Sequence, residues 1–473
     1  MKKFILLALL GVSVFPAIAF ADDIQLKTDE TTSLRVTIYT QNTALVQMEQ
    51  KINMPAGLST ISFDGVAEQM QPQTTLLDVG DMRLIEKAYE YNVLNNENLL
   101  RAFVGKKVKT VRTNPINGKN IFEEAVLLND NYGAPLLQFD YGIETQFPGR
   151  IVFESVPKNL KTKPTLVATI NNPKAGEKSL SLTYLTSGVK WSTNYVAELN
   201  KDDTLDLHAW AEVSNNSGAL YRHADIVLLS GNINIGDTGA QPRPMMFAVK
   251  SARMMSNAVD SLGADNVEAE ALSGYYTYHL PERITLSDKQ TKQLSLWEKP
   301  QVKIEKLYKI RSYLMPSRGN KFENQHAAVF YQIENTEENN LGLPLPQGKI
   351  RFYEKNNNGD ALFLGASDIR YLSVGEKAEL NIGESFDLFA DGKVTEFSKI
   401  SEKVSETSYQ ITLHNSSEKD ENILFTQNIS GDTKLISESL KSSLSNAGQL
   451  EWKIEVPAKS DVSLTYRLRT TRD

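Results

Sequence analysis

Ser187 and Lys190 stand three residues apart in YLTSGVKWSTNYVAEL, residues 184–199. Ser-x-x-Lys is the spacing of one group of serine acyl enzymes, where it opens a helix and sets the lysine one turn from the nucleophile. Here the flanking residues alternate and Gly188 lies between the two. The reading is therefore a pair of strands around the turn Thr186-Ser187-Gly188, with the motif straddling a hairpin and its side chains kept apart. The companion patterns Ser-Asp-Asn and Lys-Thr-Gly are absent from the chain. In the second strand Val189, Trp191, Thr193, Tyr195, Ala197 and Leu199 share one face. Trp191 and Tyr195 are read as core.

The other reactive residue types also point away from catalysis. The five histidines, His208, His223, His279, His326 and His414, form no His-x-His or His-x-x-x-His pair, so no metal site is expected. The chain has no cysteine, which excludes thiol chemistry, disulfides, Cys-ligated metal and a lipid-bearing cysteine. There is no Gly-x-Ser-x-Gly and no glycine-rich phosphate loop. Asn356-Asn357-Asn358-Gly359-Asp360 has the look of a calcium loop but lacks the later bidentate glutamate, and a hairpin turn fits it better. The acidic run Asn200–Asp206 fits a solvated turn. With 58 acidic residues, a carboxylate pair for glycoside hydrolysis has many chance candidates and cannot be located. A non-enzymatic chain without a cofactor is expected.

Two features could bind a partner. In TLDLHAWAEVSNNSG, Leu205, Leu207, Ala209, Ala211 and Val213 face inward, and Asp206, His208, Trp210 and Glu212 face outward. An outward Trp210 beside His208 is a stacking platform for a sugar or a protein. A face covered by a neighbouring domain or loop would show the same pattern. Residues 237–274 are rich in Ala, Ser, Gly and Met, with Met245, Met246, Met254 and Met255 among them. They read as a mobile loop, either a connector or an adaptable Met-bearing surface.

These candidates sit on a chain patterned for strands. Residues 1–21 have Lys2 and Lys3, an apolar run too short to span a bilayer, and Ala19-Phe20-Ala21. That is the pattern of a signal peptide cleaved after Ala21. No later stretch is long and apolar enough to span a membrane. Residues 22–95 alternate with period two around the turn Met54-Pro55-Ala56-Gly57, which predicts a β-domain. Residues 96–155 open with NENLLRAFVG, a short helix with an Asn cap and a Gly stop, followed by short strands. The pattern suggests a small helix-plus-barrel unit of Sm or SH3 type. Residues 156–236 give strands roughly every 8–12 residues, a β-sandwich signature. Ala224–Gly231 carry the continuous apolar run Ile226–Leu229, as in a strand buried on both faces. The sandwich continues over 275–395, and further strands fill 396–473. The fold class is mainly β: antiparallel sandwiches in several domains, with the small unit inserted.

Several phrases occur together in order: RTNPINGK, PGRIVF, YLTSGVKWSTNYVAEL, NNSG, YTYHLPERITLSDKQTKQLSL and FLGASDIRYLSVGEKAELNIGESFDL. On these the chain resembles the bacterial domain-of-unknown-function 4139 family, which includes secreted proteins and is related to the mucoidy-inhibitor proteins. The resemblance runs to about Val394 and implies a β-rich envelope protein. It supplies no catalytic residues. The formal charge of −7, with no basic tract, argues against nucleic acid and anionic lipid as partners. The expectation is an exported, periplasmic or secreted protein that binds an envelope protein or polysaccharide without catalysis. The alternatives are a glycan or peptide hydrolase with unlocated carboxylates, and a structural or adhesive surface protein.

Overall fold

The computed structural model describes residues 22–28, 31–91, 93–131, 134–157, 160–234, 269–272, 274–429, 432–444 and 448–471. The proposed signal peptide lies outside the described residues. So does the 237–274 segment, apart from Gly274 and a strand, Ala269–Leu272, that pairs with Tyr275–His279. The chain is mainly β, with a single α-helix among the described residues. It divides into two compact units. One comprises Met1–Lys190, Ser214–Val227 and Glu282–Gln290, and the other Trp191–Val213, Leu228–Pro281 and Thr291–Asp473.

In the first unit, two sheets carry the alternating pattern of residues 22–95. One has the order Asp22–Lys27, Gly57–Asp64, Thr165–Asn172, Arg83–Glu90. Its first pair is parallel, so the sheet is mixed and not purely antiparallel. The other, an eight-stranded sheet, includes in order Ser33–Tyr39, Thr43–Met54, Gly176–Ser187, Leu76–Asp78. Their alternate residues, among them Val36, Ile38, Val46, Ile61, Phe63, Leu166, Ala168, Ile170, Leu182 and Tyr184, are buried.

Arg83–Glu90 and Thr165–Asn172 are paired neighbours, so the chain between them leaves the sheet and returns beside its point of exit. That excursion is the small unit. Its helix, Asn96–Phe103, is capped by Asn95, whose side chain accepts the Asn98 amide, and Gly105 follows at φ +77°. Five strands follow in the order Gly142–Glu144, Leu137–Phe139, Asn120–Leu127, Lys107–Thr113, Arg150–Val152. Leu100, Val108, Ala125, Leu127, Leu137 and Phe139 form its core. The helix followed by short strands matches the sequence reading. Among the described residues, no ladder joins the two edge strands to close a barrel.

The second unit is built on two long strands, Gln290–Arg311 and Lys377–Lys399. In the second of these, residues 377–384 and 389–393 pair with the Lys321–Glu334 strand, and 388–399 pair on the other edge with Val404–Asn415. On one side the order continues through Thr204–Asn215, Val189–Leu199, Gly348–Lys355 and Ala361–Ile369. On the other, Ser460–Thr471 and Asp432–Glu438 extend the sheet, while Glu421–Asn428 pairs in parallel with the end of Gln290–Arg311 and antiparallel with Gln449–Val456. Trp452, Phe425, Ile411, Leu464 and Tyr466 pack into one core among these strands. The boundary expected at 395/396 meets a strand that crosses it unbroken.

Three strands end on a buried asparagine and a fourth, Lys321–Glu334, is followed by one, Asn335; each side chain ties down neighbouring loop backbone. Asn172 donates to the carbonyls of Met54 and Pro55, and Asn415 to those of Lys419 and Val456. Asn215 donates to Ala219, Leu286 and Ser287 and accepts from the Ser217 amide and hydroxyl. Asn335 donates to Leu343, Leu372 and Ser373 and accepts from the Gly342 and Leu343 amides. A primary amide offers donors and acceptor together, so it substitutes for the ladder where the ladder stops.

Candidate functional site

The Ser-x-x-Lys stretch is core, though not by way of a hairpin. Gly176–Ser187 pairs with Thr43–Met54 and Leu76–Asp78, whereas Val189–Leu199 pairs in parallel with Gly348–Lys355. The two strands belong to different sheets, and Gly188, at φ +86°, turns the chain from one to the other. A Cβ there would lie 2.8 Å from the Asn216 carbonyl oxygen. Alternation alone does not say whether the next strand is a hairpin partner or is handed to another sheet. Ser187 donates its amide to the Gln69 carbonyl and Lys190 is exposed, so no acyl-transfer pair forms.

The aromatic residues that follow are structural. Trp191 donates through Nε1 to the Leu229 carbonyl at 3.0 Å and meets Tyr278 edge-on at 6.1 Å. The Tyr195 hydroxyl donates to the Pro346 carbonyl at 2.7 Å, and that of Tyr278 to the Pro344 carbonyl at 3.0 Å. Two buried tyrosines thus pin the Pro344-Leu345-Pro346 strap. Burial pushes the Tyr195 and Tyr278 phenols well above their ordinary range, because a phenolate has no water there. The NNSG phrase is also structural. Ser217 is buried, Gly218 lies at φ +82° with its amide on Asp288, and Gln69 holds the Asn216 and Ser217 carbonyls.

His208 and Trp210 lie on the outward face of Thr204–Asn215, both half-buried. His208 Nε2 is 3.3 Å from Glu298 Oε1. Further along the same face, Asn194 donates to Glu212 at 3.4 Å, and Arg351 donates to Asn194 at 3.0 Å. The face therefore carries a row of linked polar groups with an indole among them. On the neighbouring strand, Leu296 and Trp297 are both buried, so that strand is covered on both faces at this point. The platform is narrower than an open sheet would give.

At the turn that follows Val189–Leu199, a depression of about 610 Å³ is lined by Asn200, Lys201, Asp202, Asp206, Pro300 and Gln301. Its carboxylates are engaged locally: Asp206 accepts the Gln301 amide and the Asn200 side chain, and Asp202 accepts the Thr204 hydroxyl. This is the solvated turn read from the sequence. Asn356 likewise closes the expected hairpin turn, its side chain accepting the Asn358 and Asp360 amides. Among the described residues, no group of three His, Cys, Asp or Glu side chains is arranged to hold a metal ion. His414 bridges Asp391 at 3.2 Å and Asp461 at 2.7 Å, but the carboxylates sit on opposite ring nitrogens and cannot converge on one ion.

One cluster escaped the sequence reading. At one end of the small sheet, Arg112 lies against the Phe147 and Phe139 rings and donates from Nε and Nη2 to one oxygen of Glu123, with Tyr141 and Glu144 beside it. Glu123 raises the guanidinium above its usual range. Nothing in the spacing of these residues signals the cluster, which exists only once four strand segments and a loop are folded together.

The fold and these sites define a multi-sheet β protein in which two of the distinctive phrases, YLTSGVKWSTNYVAEL and NNSG, serve packing. Residues 180–471 match the family described as a domain of unknown function, DUF4139. The chain belongs to that family. The match includes the C-terminal strands, and it leaves RTNPINGK and PGRIVF outside. No curated protein matches the chain. Among solved structures, a Corynebacterium diphtheriae protein described as membrane anchored aligns at 10% identity. It covers 93% of this chain and 83% of its own, with a TM-score of 0.14, too poor a superposition to define a shared fold. Among the described residues no helix is long and apolar enough to cross a membrane.

Proposed function

We propose that this protein is exported to the cell envelope and binds a protein or polysaccharide partner without catalysis, through the outward face around Trp210 and His208. The observation that carries the reading is the half-exposed indole set among linked polar side chains, His208 with Glu298 and Glu212 with Asn194 and Arg351. An indole stacks on the apolar face of a sugar, and fixed amide, carboxylate and guanidinium groups meet its hydroxyls. Export is supported by the pattern of residues 1–21.

A thermal-shift screen of the full chain against envelope glycans and peptidoglycan fragments tests the binding. A ligand at 100 times its dissociation constant adds about 2.7 kcal/mol, or roughly 5–10 °C for a unit of this size. The shift is expected to disappear in Trp210→Ala. A flat panel, together with no partner crosslinked to this face in intact cells, would overturn the reading.

A further inference from the structure

The Arg112 cluster has the composition of a ligand site. Its walls are the rings of Phe147 and Phe139, 5.4 and 6.0 Å from the guanidinium carbon, with Tyr141 stacked on Phe139 at 5.1 Å. Its floor is two carboxylates. Glu123 accepts from Nε and Nη2 of Arg112, and Glu144 lies 3.5 Å from Nη1. The Tyr141 hydroxyl accepts from Nη2 at 3.2 Å and donates to Glu144 at 2.8 Å. Two negative charges thus face one positive charge between aromatic faces. Arg112, Glu123 and Glu144 are partly covered, with side-chain exposures of 29, 32 and 24%. Aromatic faces, a carboxylate oxygen, Oε2 of Glu123, that accepts from both Nε and Nη2, and a phenol hydroxyl together select a planar cation over a compact ammonium. We propose that this end of the small sheet is a guanidinium-binding cage whose resident is the chain's own Arg112, so that removing that side chain opens a site for an arginine side chain from outside.

The test uses full-chain Arg112→Ala, with Arg112→Met as a variant that keeps an apolar stem. Each is heated, and titrated calorimetrically, with millimolar ethylguanidinium chloride against equal sodium chloride. The variants should melt lower than the parent, and ethylguanidinium should bind them and raise the melting temperature. The parent should show neither effect. Adding Glu123→Gln should weaken binding about tenfold, because the hydrogen bonds to Nε and Nη2 lose the carboxylate's charge. The proposal is overturned if ethylguanidinium does no more than sodium chloride or acts equally on the parent. It is also overturned if Glu123→Gln leaves binding unchanged, or if neither variant folds with ethylguanidinium present.

Discussion

Replacing Asn335 with alanine should destabilise the second unit by about 2–4 kcal/mol. The residue is 0% exposed and makes five hydrogen bonds to backbone groups. Not all five partners are orphaned by its loss. The Leu372 carbonyl keeps the Leu345 amide, and the Ser373 carbonyl keeps the Glu376 amide. That leaves the Leu343 carbonyl and the amides of Gly342 and Leu343, each costing about 1–3 kcal/mol if buried unpaired. Gly342 and Leu343 are half-buried, so water recovers part of the cost, and the sum settles at about 2–4 kcal/mol. The loop they form leads into the Pro344–Pro346 strap, so Trp191 and Trp297 should report the loosening. All four tryptophans, Trp191, Trp210, Trp297 and Trp452, lie in the second unit, so their fluorescence follows that unit's melting. At roughly 2–4 °C per kcal/mol, the melting temperature should fall by about 5–15 °C. Asn335→Asp should fare no better, since it keeps the acceptor and loses the three donated bonds. A loss under about 1 kcal/mol in Asn335→Ala, no more than one ordinary hydrogen bond, would refute the claim that one amide replaces the ladder.

Further outcomes follow from other features. Gly188→Ala forces a side chain into a left-handed backbone against the Asn216 carbonyl, and should cost about 1–3 kcal/mol in denaturant titration of the first unit. A neutral result would mean that the link can relax. Tyr195→Phe removes the donor to Pro346 and should cost about 1–2 kcal/mol while leaving the circular dichroism spectrum unchanged. The buried phenols of Tyr184, Tyr195 and Tyr221 predict an alkaline transition. Burial raises their folded pKa, so above about pH 10 the unfolded chain holds fewer protons than the folded one and stability falls as pH rises. Phenolate absorbance from these residues should appear together with unfolding; appearance well before it would show the phenols to be accessible.

Much of the architecture was legible because burial alternates wherever one sheet face is wet. Trp191 and Tyr195 were assigned to the core, and Leu205 to Val213 to the inward face, by period two alone. The helix was legible too, although its cap is Asn95, one residue ahead of the stretch that announced it. Strand partners were not legible. The hairpin expected at Gly188 fails because nothing local distinguishes a turn back from a turn onward. The parallel pairing of Val189–Leu199 with Gly348–Lys355 joins residues about 150 positions apart, as Thr193 against Gly348 shows. The asparagine anchors left a trace in the sequence, an Asn closing an alternating apolar run at 172, 215, 335 and 415. Reading that trace requires knowing that the run ends buried. His208 and Trp210 were placed on the correct face, but their half-burial depends on neighbours the strand does not encode.

The longest strand and its partner Lys321–Glu334 carry a consequence for how the second unit can move. Lys377–Lys399 serves one sheet region with its first residues and another with its last, and Lys321–Glu334 pairs with it on both sides of residues 385–387. Two regions that share continuous strands have no linker at which to pivot. A protease that trims the loops of this unit should therefore meet no scissile connection that releases one region from the other, and force applied across the junction would have to shear a ladder before it could separate them.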